Sequence, residues 1–442
     1  MTRVAVIGTG YVGTVTATCF AWLGHDVVGL DVDPVRIGQL SVGQAPLFEP
    51  GLGELLTETI TTGRLTFSTE PATIADAEIV FLCVGTPTGT GGAPDLSQVE
   101  AAAHAVAVNM AEGAIVVNKS TVPVGSGNWV RTMIEEALPR TGGPTFHVVS
   151  NPEFLREGCA IEDFLYPDRI VLGGENSAPA KVAALYEPVL DQSFPGGRPD
   201  HRPQLILTDL ASAEMVKYAA NAFLATKISF ANEIASICEF VGADARQVLP
   251  AIGADDRIGP RFLQHGLGWG GSCFGKDLAA LIATAVDYGY NAPMLRATVE
   301  INQAQRAAAI RKLQAALKVL KGRRIGVLGL AFKPGTDDLR DAPALEIIRR
   351  LRTAGAVVSA YDPVVKHLGD PDGVGVRMAA DPYDAADRAD AVLVVTEWDD
   401  FAAVDLAALA ERMAGDLVLD GRGILDLAAA DAAGLRVTGF GW

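Results

Sequence analysis

Val4-Ala5-Val6-Ile7-Gly8-Thr9-Gly10-Tyr11-Val12-Gly13 decides the fold. An apolar run of strand length meets three glycines in GxGxxG spacing, and a helical pattern follows. Gly8 permits a tight turn, Gly10 lets backbone approach a pyrophosphate, and Gly13 allows the helix to pack closely on the strand. The next strand candidate, Val27–Leu30, ends at Asp31, 18 residues after Gly13. A carboxylate there accepts from both ribose hydroxyls. Asp31 and Asp33 together repel a 2′-phosphate, so NAD is expected rather than NADP. The competing reading is a tight βα turn that binds nothing.

Further strand candidates are Ile79–Val84, Ile115–Asn118, Val148–Ser150 and Ile170–Leu172, separated by helical patterns. This alternation predicts βαβ units and a parallel sheet. The pattern returns at Arg324–Leu328, Val357–Tyr361, Ala391–Val395 and Leu417–Leu419, with Asp341 as N-cap of a helix towards Arg352 and Gly355 after its end. Between them, Leu210–Val241 contains no Pro or Gly and predicts one long helix, buried for most of its length. A second helical stretch covers Asp277–Leu320, and Ser193–Pro203 is a surface turn. The expected fold is α/β, with two Rossmann-like doubly wound domains joined by a central helical region. The expected boundaries are 1–208, 209–317 and 318–442. Whether the two α/β ends are a distant repeat is open.

The 442 residues carry a net charge of −17 and are 49% hydrophobic. That acidity disfavours a nucleic-acid partner, and the apolar content disfavours disorder. No segment reads as a membrane span or leader. The cysteines, at positions 19, 83, 159, 238 and 273, form no CxxC pair, so no metal site is expected. A reducing cytoplasm is the expected location.

Several strand-end motifs carry polar chemistry. Cys83-Val84-Gly85-Thr86-Pro87-Thr88 places Thr86 where ligands bind in doubly wound sheets, with Cys83 read as core. Lys119-Ser120-Thr121-Val122-Pro123 places a Thr121 hydroxyl at the same crevice, unless the loop merely turns. Asn151-Pro152-Glu153-Phe154-Leu155-Arg156-Glu157-Gly158 offers two carboxylates as general-base or cofactor contacts. Arg36 is either a planar cation over adenine or a solvated helix residue.

Gly266-Leu267-Gly268-Trp269-Gly270-Gly271-Ser272-Cys273-Phe274-Gly275-Lys276-Asp277 surrounds one cysteine with glycines. Exposed N–H dipoles and a basic neighbour lower a thiol pKa, and Asp277 is placed to act on water. The alternatives are a structural cysteine, or glycines that serve a phosphate without thiol chemistry. In Glu214–Asn221, Lys217 and Asn221 share a helix face as oxyanion donors. The alternative is an internal Glu214–Lys217 pair. Lys333 and Arg340, in Gly329–Arg340, suit phosphate oxygens or plain solvation.

Taken in order, GTGYVG, CVGTPT, KSTVPVG, NPEFLREG, EMVKYAANAF, GGSCFGKD and GLAFKPGTDDLRDAP resemble the UDP-glucose/GDP-mannose dehydrogenase family over nearly the whole chain. The resemblance implies four-electron oxidation of a nucleotide sugar, UDP-glucose to UDP-glucuronate, with two NAD⁺, one water and a covalent cysteine intermediate. It makes Cys273 the nucleophile, Lys217 and Asn221 oxyanion donors, and Asp277 the aid to hydrolysis. Glu153 and Thr121 would serve deprotonation or water positioning. Cofactor positions would be Gly8, Gly10, Tyr11, Val12, Gly13, Asp31, Arg36, Thr86, Thr121, Glu157, Lys276 and Arg340. Sugar-nucleotide positions would be Glu153, Phe154, Leu155, Arg156, Glu157, Lys217, Asn221, Phe262, Leu263, Gln264, His265, Gly266, Gly270 and Lys333. Arg257 matches an arginine supplied by a neighbouring subunit, which implies a homodimer or larger homo-oligomer.

Gly275 stands where bacterial members usually carry proline, and Trp269 where Phe or Tyr is usual. A thiol fits the implied chemistry, because thiolate addition to an aldehyde gives a hemithioacetal that can be oxidised again. The alternatives are the same chemistry on GDP-mannose or a UDP-N-acetylhexosamine, a two-electron β-hydroxyacid dehydrogenase, and a non-catalytic NAD-binding scaffold.

Overall fold

The computed structural model describes residues 1–87, 89, 94–139, 143–369 and 375–442. Thr88 of the CVGTPT motif lies outside them. The chain divides into two compact units, Met1–Ala220 with Ala279–Tyr288, and Asn221–Leu278 with Gly289–Trp442.

The first unit holds an eight-stranded sheet: β1 (Arg3–Ile7), β2 (Asp26–Leu30), β3 (Leu65–Ser68), β4 (Ile79–Leu82), β5 (Ala114–Asn118), β6 (Phe146–Ser150), β7 (Arg169–Gly174) and β8 (Gln204–Thr208). Their spatial order is β3-β2-β1-β4-β5-β6-β7-β8. The second unit holds β9 (Arg324–Leu328), β10 (Val357–Tyr361), β11 (Val376–Met378), β12 (Ala391–Val394), β13 (Leu417–Asp420) and β14 (Arg436–Thr438), ordered β11-β10-β9-β12-β13-β14. The first six strands of each unit thus repeat the doubly wound order 3-2-1-4-5-6. Their central strands are almost wholly buried Val, Ile, Leu and Ala, as a sheet covered on both faces requires.

The strands with no expectation from sequence are β3, β8, β11 and β14, the four sheet edges. They are three to five residues long and only partly buried, so they carry little apolar pattern. The expectation of a wholly parallel first sheet is corrected at one place: β7 runs antiparallel to β6. One short helix of six residues lies between them.

Seven helices bear on the site: α1 (Tyr11–Trp22), α2 (Ser126–Ala137), α3 (Ala160–Leu165), α4 (Leu210–Val241), α5 (Phe274–Asp287), α6 (Pro293–Leu317) and α7 (Pro343–Thr353). The long helix α4 has the expected limits. Its burial corrects the expectation: one stripe is buried, while Met215, Phe223, Phe230, Ile237, Phe240 and Val241 are exposed. The stretch expected over Asp277–Leu320 is two helices, interrupted around Gly289 at φ 78°. Asp341 is not the cap of α7. Ala342 occupies that place, and Asp341 sits at φ 48° with its carboxylate turned to Arg306. Gly355 follows the end of α7 with φ 83°, as expected.

Among the described residues all five cysteines are free, no cluster of His, Cys, Asp and Glu could hold a metal, and no helix is long and apolar enough to cross a membrane.

Candidate active site

The β1–α1 turn is built for a ligand. Gly8 adopts φ 93°, and a Cβ on Gly13 would lie 1.8 Å from the Gly8 carbonyl oxygen, so the turn itself demands both glycines. A Cβ on Gly10 would meet nothing within 4 Å. Packing does not demand that glycine, and the open space at the amino end of α1 suits a pyrophosphate. Asp31 Oδ2 accepts from Thr9 N at 2.8 Å and Thr9 Oγ1 at 3.0 Å, and Oδ1 accepts from Asp33 N at 3.1 Å. Burial pushes this carboxyl up, but these donors and the Arg36 guanidinium outweigh it and hold it below its ordinary value. The ionised acid beside the turn fits the ribose of NAD and opposes a 2′-phosphate. Arg36 itself bonds Asp31 at 3.1 Å.

Tyr11 reaches a residue that sequence reasoning missed. Its hydroxyl hydrogen-bonds to Glu49, whose carboxylate also accepts from Gly158 N and Ala160 N, both at 2.7 Å. Glu49 so holds the end of the NPEFLREG loop, beside Glu157, at the start of α3. Its only signal is one acid within the apolar Leu47–Leu52. Val12 packs on the apolar core of this unit.

The ends of β4, β5 and β6 are cross-linked by side chains. The Thr86 hydroxyl donates to Thr121 O at 2.8 Å. Lys119 is buried and donates to Asn151 Oδ1 at 3.1 Å, and burial lowers its pKa. Glu153 pairs with Lys217 at 2.9 Å, both buried. Burial raises the Glu153 carboxyl, but Lys217, the Leu155 N–H and Lys119 outweigh it and hold it below its ordinary value. Phe154 stacks beneath Arg169, with Lys217 Nζ 5.6 Å from the ring centroid. Arg156 turns to Asp163 at 2.6 Å instead, on the exposed side of the loop.

Successive turns of α4 hold three different segments. Glu214 accepts from Gly125 N at 2.6 Å and Gly127 N at 2.8 Å, at the start of α2. Burial raises its pKa despite these donors. Lys217 takes Glu153. Asn221 Nδ2 donates to Asp277 Oδ2 at 2.6 Å. The alternative Glu214–Lys217 pair is therefore replaced by two partners more than sixty residues away in sequence.

Cys273 immediately precedes α5, and its carbonyl accepts from Asp277 N at 2.9 Å. A half-buried cysteine at a helix amino end is placed where negative charge is favoured. Asp277, one turn on, is 1% exposed and held by Asn221 and by Lys276 Nζ at 2.9 Å. A Cβ on Gly270 would lie 2.4 Å from Asp341 O, so this segment needs its glycine. One on Gly275 would find only ordinary contacts at 3.4 and 3.9 Å. Phe262 holds φ 65°, a strain that clusters at functional sites. Leu263 is buried, Gln264 exposed, His265 Nε2 lies 2.8 Å from Phe440 O, and Gly266 N donates to Asn232 Oδ1. Lys333 Nζ stands 5.6 Å from the centroid of the Phe332 ring, and Arg340 pairs with Asp338. Arg257 extends into solvent, 89% exposed, against Asp255.

The second unit repeats the β1–α1 turn and its aspartate. Gly329, at φ 97°, donates to Tyr361 O at 2.8 Å, as Gly8 does to Leu30 O. Leu330 N donates to Asp362, as Thr9 N does to Asp31. Asp362 is surrounded by donors: the N–H groups of Leu330, Ala331, Val364 and Val365, and the Trp398 indole. It is spent on the protein's own backbone.

Three models of one family match in sequence order. They are described as the NAD-binding domain (residues 2–190), the central domain (211–304) and the UDP-binding domain (326–427) of UDP-glucose/GDP-mannose dehydrogenases. The UDP-glucose 6-dehydrogenase TuaD of Bacillus subtilis is 45% identical, covering 98% of this chain and 92% of its own. The UDP-glucose 6-dehydrogenase of Rhizobium meliloti is 45% identical, covering 96% and 95%. The solved UDP-glucose dehydrogenase of Pyrobaculum islandicum superposes with a TM-score of 0.87 at 38% identity, over 96% of this chain and 95% of that one. With its glycine turn, its doubly wound sheets and its matches spanning nearly all of its length, this chain belongs to the UDP-glucose/GDP-mannose dehydrogenase family.

Proposed function

We propose that the protein oxidises the C6 alcohol of UDP-glucose to the carboxylate of UDP-glucuronate, consuming two NAD⁺ and one water. The observation that carries this reading is Cys273 at the amino end of α5 with a buried Asp277 one turn on. A simple alcohol dehydrogenase has no use for that thiol. NAD, when bound, supplies the hydride acceptor for both oxidations. The β1–α1 turn and Asp31 hold it, with Thr86, Thr121, Glu157, Lys276 and Arg340 as further contacts.

Glu153, kept ionised beside Lys217, takes the alcohol proton directly or through water that Thr121 helps to place. The Lys217 ammonium and the Asn221 amide stabilise the oxygen anions that form. The Cys273 thiolate adds to the aldehyde carbon, and the resulting oxyanion is the group oxidised next. The thioester is then cleaved by water that gives its proton to Asp277, and the thiolate leaves. The nucleotide sugar is held by the Glu153–Glu157 loop, Phe262–Gly266, Gly270 and Lys333.

The working unit in this reading is a homodimer. Phe223, Phe230, Ile237 and Phe240 form an apolar stripe on α4 suited to a second copy. Arg257 is exposed beside Asp255 of its own chain, and in this reading it is offered to the partner's substrate. Free thiols suit a reducing cytoplasm. The test is NADH formed per UDP-glucose consumed, with GDP-mannose and UDP-N-acetylhexosamines as competitors. Two NADH with UDP-glucose preferred is the expected result. One NADH overturns the four-electron reading, and preference for another sugar overturns the substrate.

A further inference from the structure

The loop from Gly266 to Cys273 contains glycines at 266, 268, 270 and 271 and lies outside helix and strand. Such a segment has high conformational entropy when unrestrained. A nucleophile at its end needs an external restraint, and α6 supplies it. Asn302 Oδ1 accepts from Trp269 N at 2.7 Å, and Asn302 Nδ2 donates to Trp269 O at 3.0 Å. Arg306 Nη2 donates to the same carbonyl at 2.9 Å. Gln305 Nε2 donates to Gly266 O at 2.9 Å. Asn302 and Arg306 are 2% and 5% exposed. Burial of three polar side chains on one helix is costly unless each is used, and here each is spent on this loop.

Arg306 also reaches the other way. Its Nη1 meets Asp341 Oδ1 at 2.7 Å and Glu346 Oε2 at 2.9 Å, and its Nη2 lies 3.2 Å from Asp341 O. One guanidinium therefore ties the nucleophile loop to the segment that carries Lys333 and Arg340.

We propose that Asn302 and Arg306 are positioning residues for the nucleophile, gripping the Trp269 peptide and so fixing where Cys273 enters α5. This rests on the reading of Cys273 as nucleophile. The predicted signature is selective. The first oxidation needs no thiol, whereas every later step does. A misplaced Cys273 slows the later steps and lets aldehyde escape, and a displacement of 1 Å can cost roughly 100-fold.

The experiment uses full-length Asn302→Asp, Asn302→Ala and Arg306→Lys. Asn302→Asp keeps the size and the acceptor but loses the donor to Trp269 O. For each variant, NAD⁺ affinity, kcat and KM for UDP-glucose, NADH per substrate, hydrazide-trapped aldehyde and the rate of Cys273 alkylation by iodoacetamide are measured. The expected result is unchanged NAD⁺ affinity, kcat lowered by roughly 100-fold, trapped aldehyde, NADH per substrate falling towards one, and an altered alkylation rate. If Arg306→Lys fails to fold, Asn302→Asp decides alone. Folded variants with two NADH per substrate, no aldehyde and wild-type alkylation overturn the proposal. Wild-type enzyme that stays active after complete Cys273 alkylation overturns the nucleophile reading instead.

Discussion

Lys217 Nζ stands 2.9 Å from Glu153 Oε1, and each side chain is only 6% exposed. Neither charge has bulk water to fall back on, so each depends on the other. The pair joins the long helix to the loop after β6, and it sets the protonation of the group read as the base.

Lys217→Ala should therefore destabilise the fold by roughly 3–5 kcal/mol at pH 7, because it strands a buried carboxylate. In the wild type Glu153 is held below its ordinary value, so its contribution is present above about pH 4.3 and is lost as pH falls through the folded value. In the variant the carboxyl lacks its main partner and takes up a proton more readily. The deficit should shrink from pH 7 to pH 4, as urea midpoints would show. A deficit constant with pH would contradict the ion-pair account.

Asp31 should exclude NADP⁺ by roughly 2–4 kcal/mol, through charge repulsion and lost ribose bonds. Its carboxyl is held below the ordinary range, so discrimination should persist down to about pH 5. Asp31→Ala should narrow the kcat/KM ratio mainly by harming NAD⁺. Equal use of both cofactors by the wild type would refute the assignment.

Cys273→Ala should lose turnover by several orders of magnitude while NAD⁺ binding survives. Cys273→Ser should form an ester slowly, seen as added mass on its peptide. Asp277→Asn should slow hydrolysis more than the first oxidation, because Asn221 and Lys276 hold a carboxylate there. Rapid-quench mass spectrometry should then find an acyl-enzyme. Near-normal turnover by Cys273→Ala would return the chain to two-electron chemistry.

Phe230→Asp places a charge in the exposed stripe of α4 and should shift sedimentation towards monomer, with activity falling in parallel. Arg257→Ala and Cys273→Ala should each be inactive. Mixed and reassociated, they should recover about a quarter of wild-type activity, since half the dimers carry one intact site. No recovery would mean that Arg257 acts within its own chain.

Gly275→Ala should be tolerated and stabilising by up to about 1 kcal/mol, since the site has room for Cβ and alanine favours the helix. A lowered melting temperature would show that α5 needs its glycine.

The sequence alone determined what short-range physics controls. The Gly8–Gly13 turn is legible because positive φ and close helix packing select glycine locally. The central strands and the limits of α4 are legible because apolar periodicity and the absence of Pro and Gly act within a few residues. The four sheet edges escaped for the same reason: short, half-exposed strands carry little pattern. Only the tertiary structure decided that Lys217 answers Glu153 rather than Glu214, that β7 reverses, and that one face of α4 stays bare. It also decided that Asn302 and Arg306 grip Trp269. The side-chain contacts among these join groups far apart in sequence, and the choice among equivalent charges, strand directions and faces is made by the path of the folded chain, which local propensity does not encode.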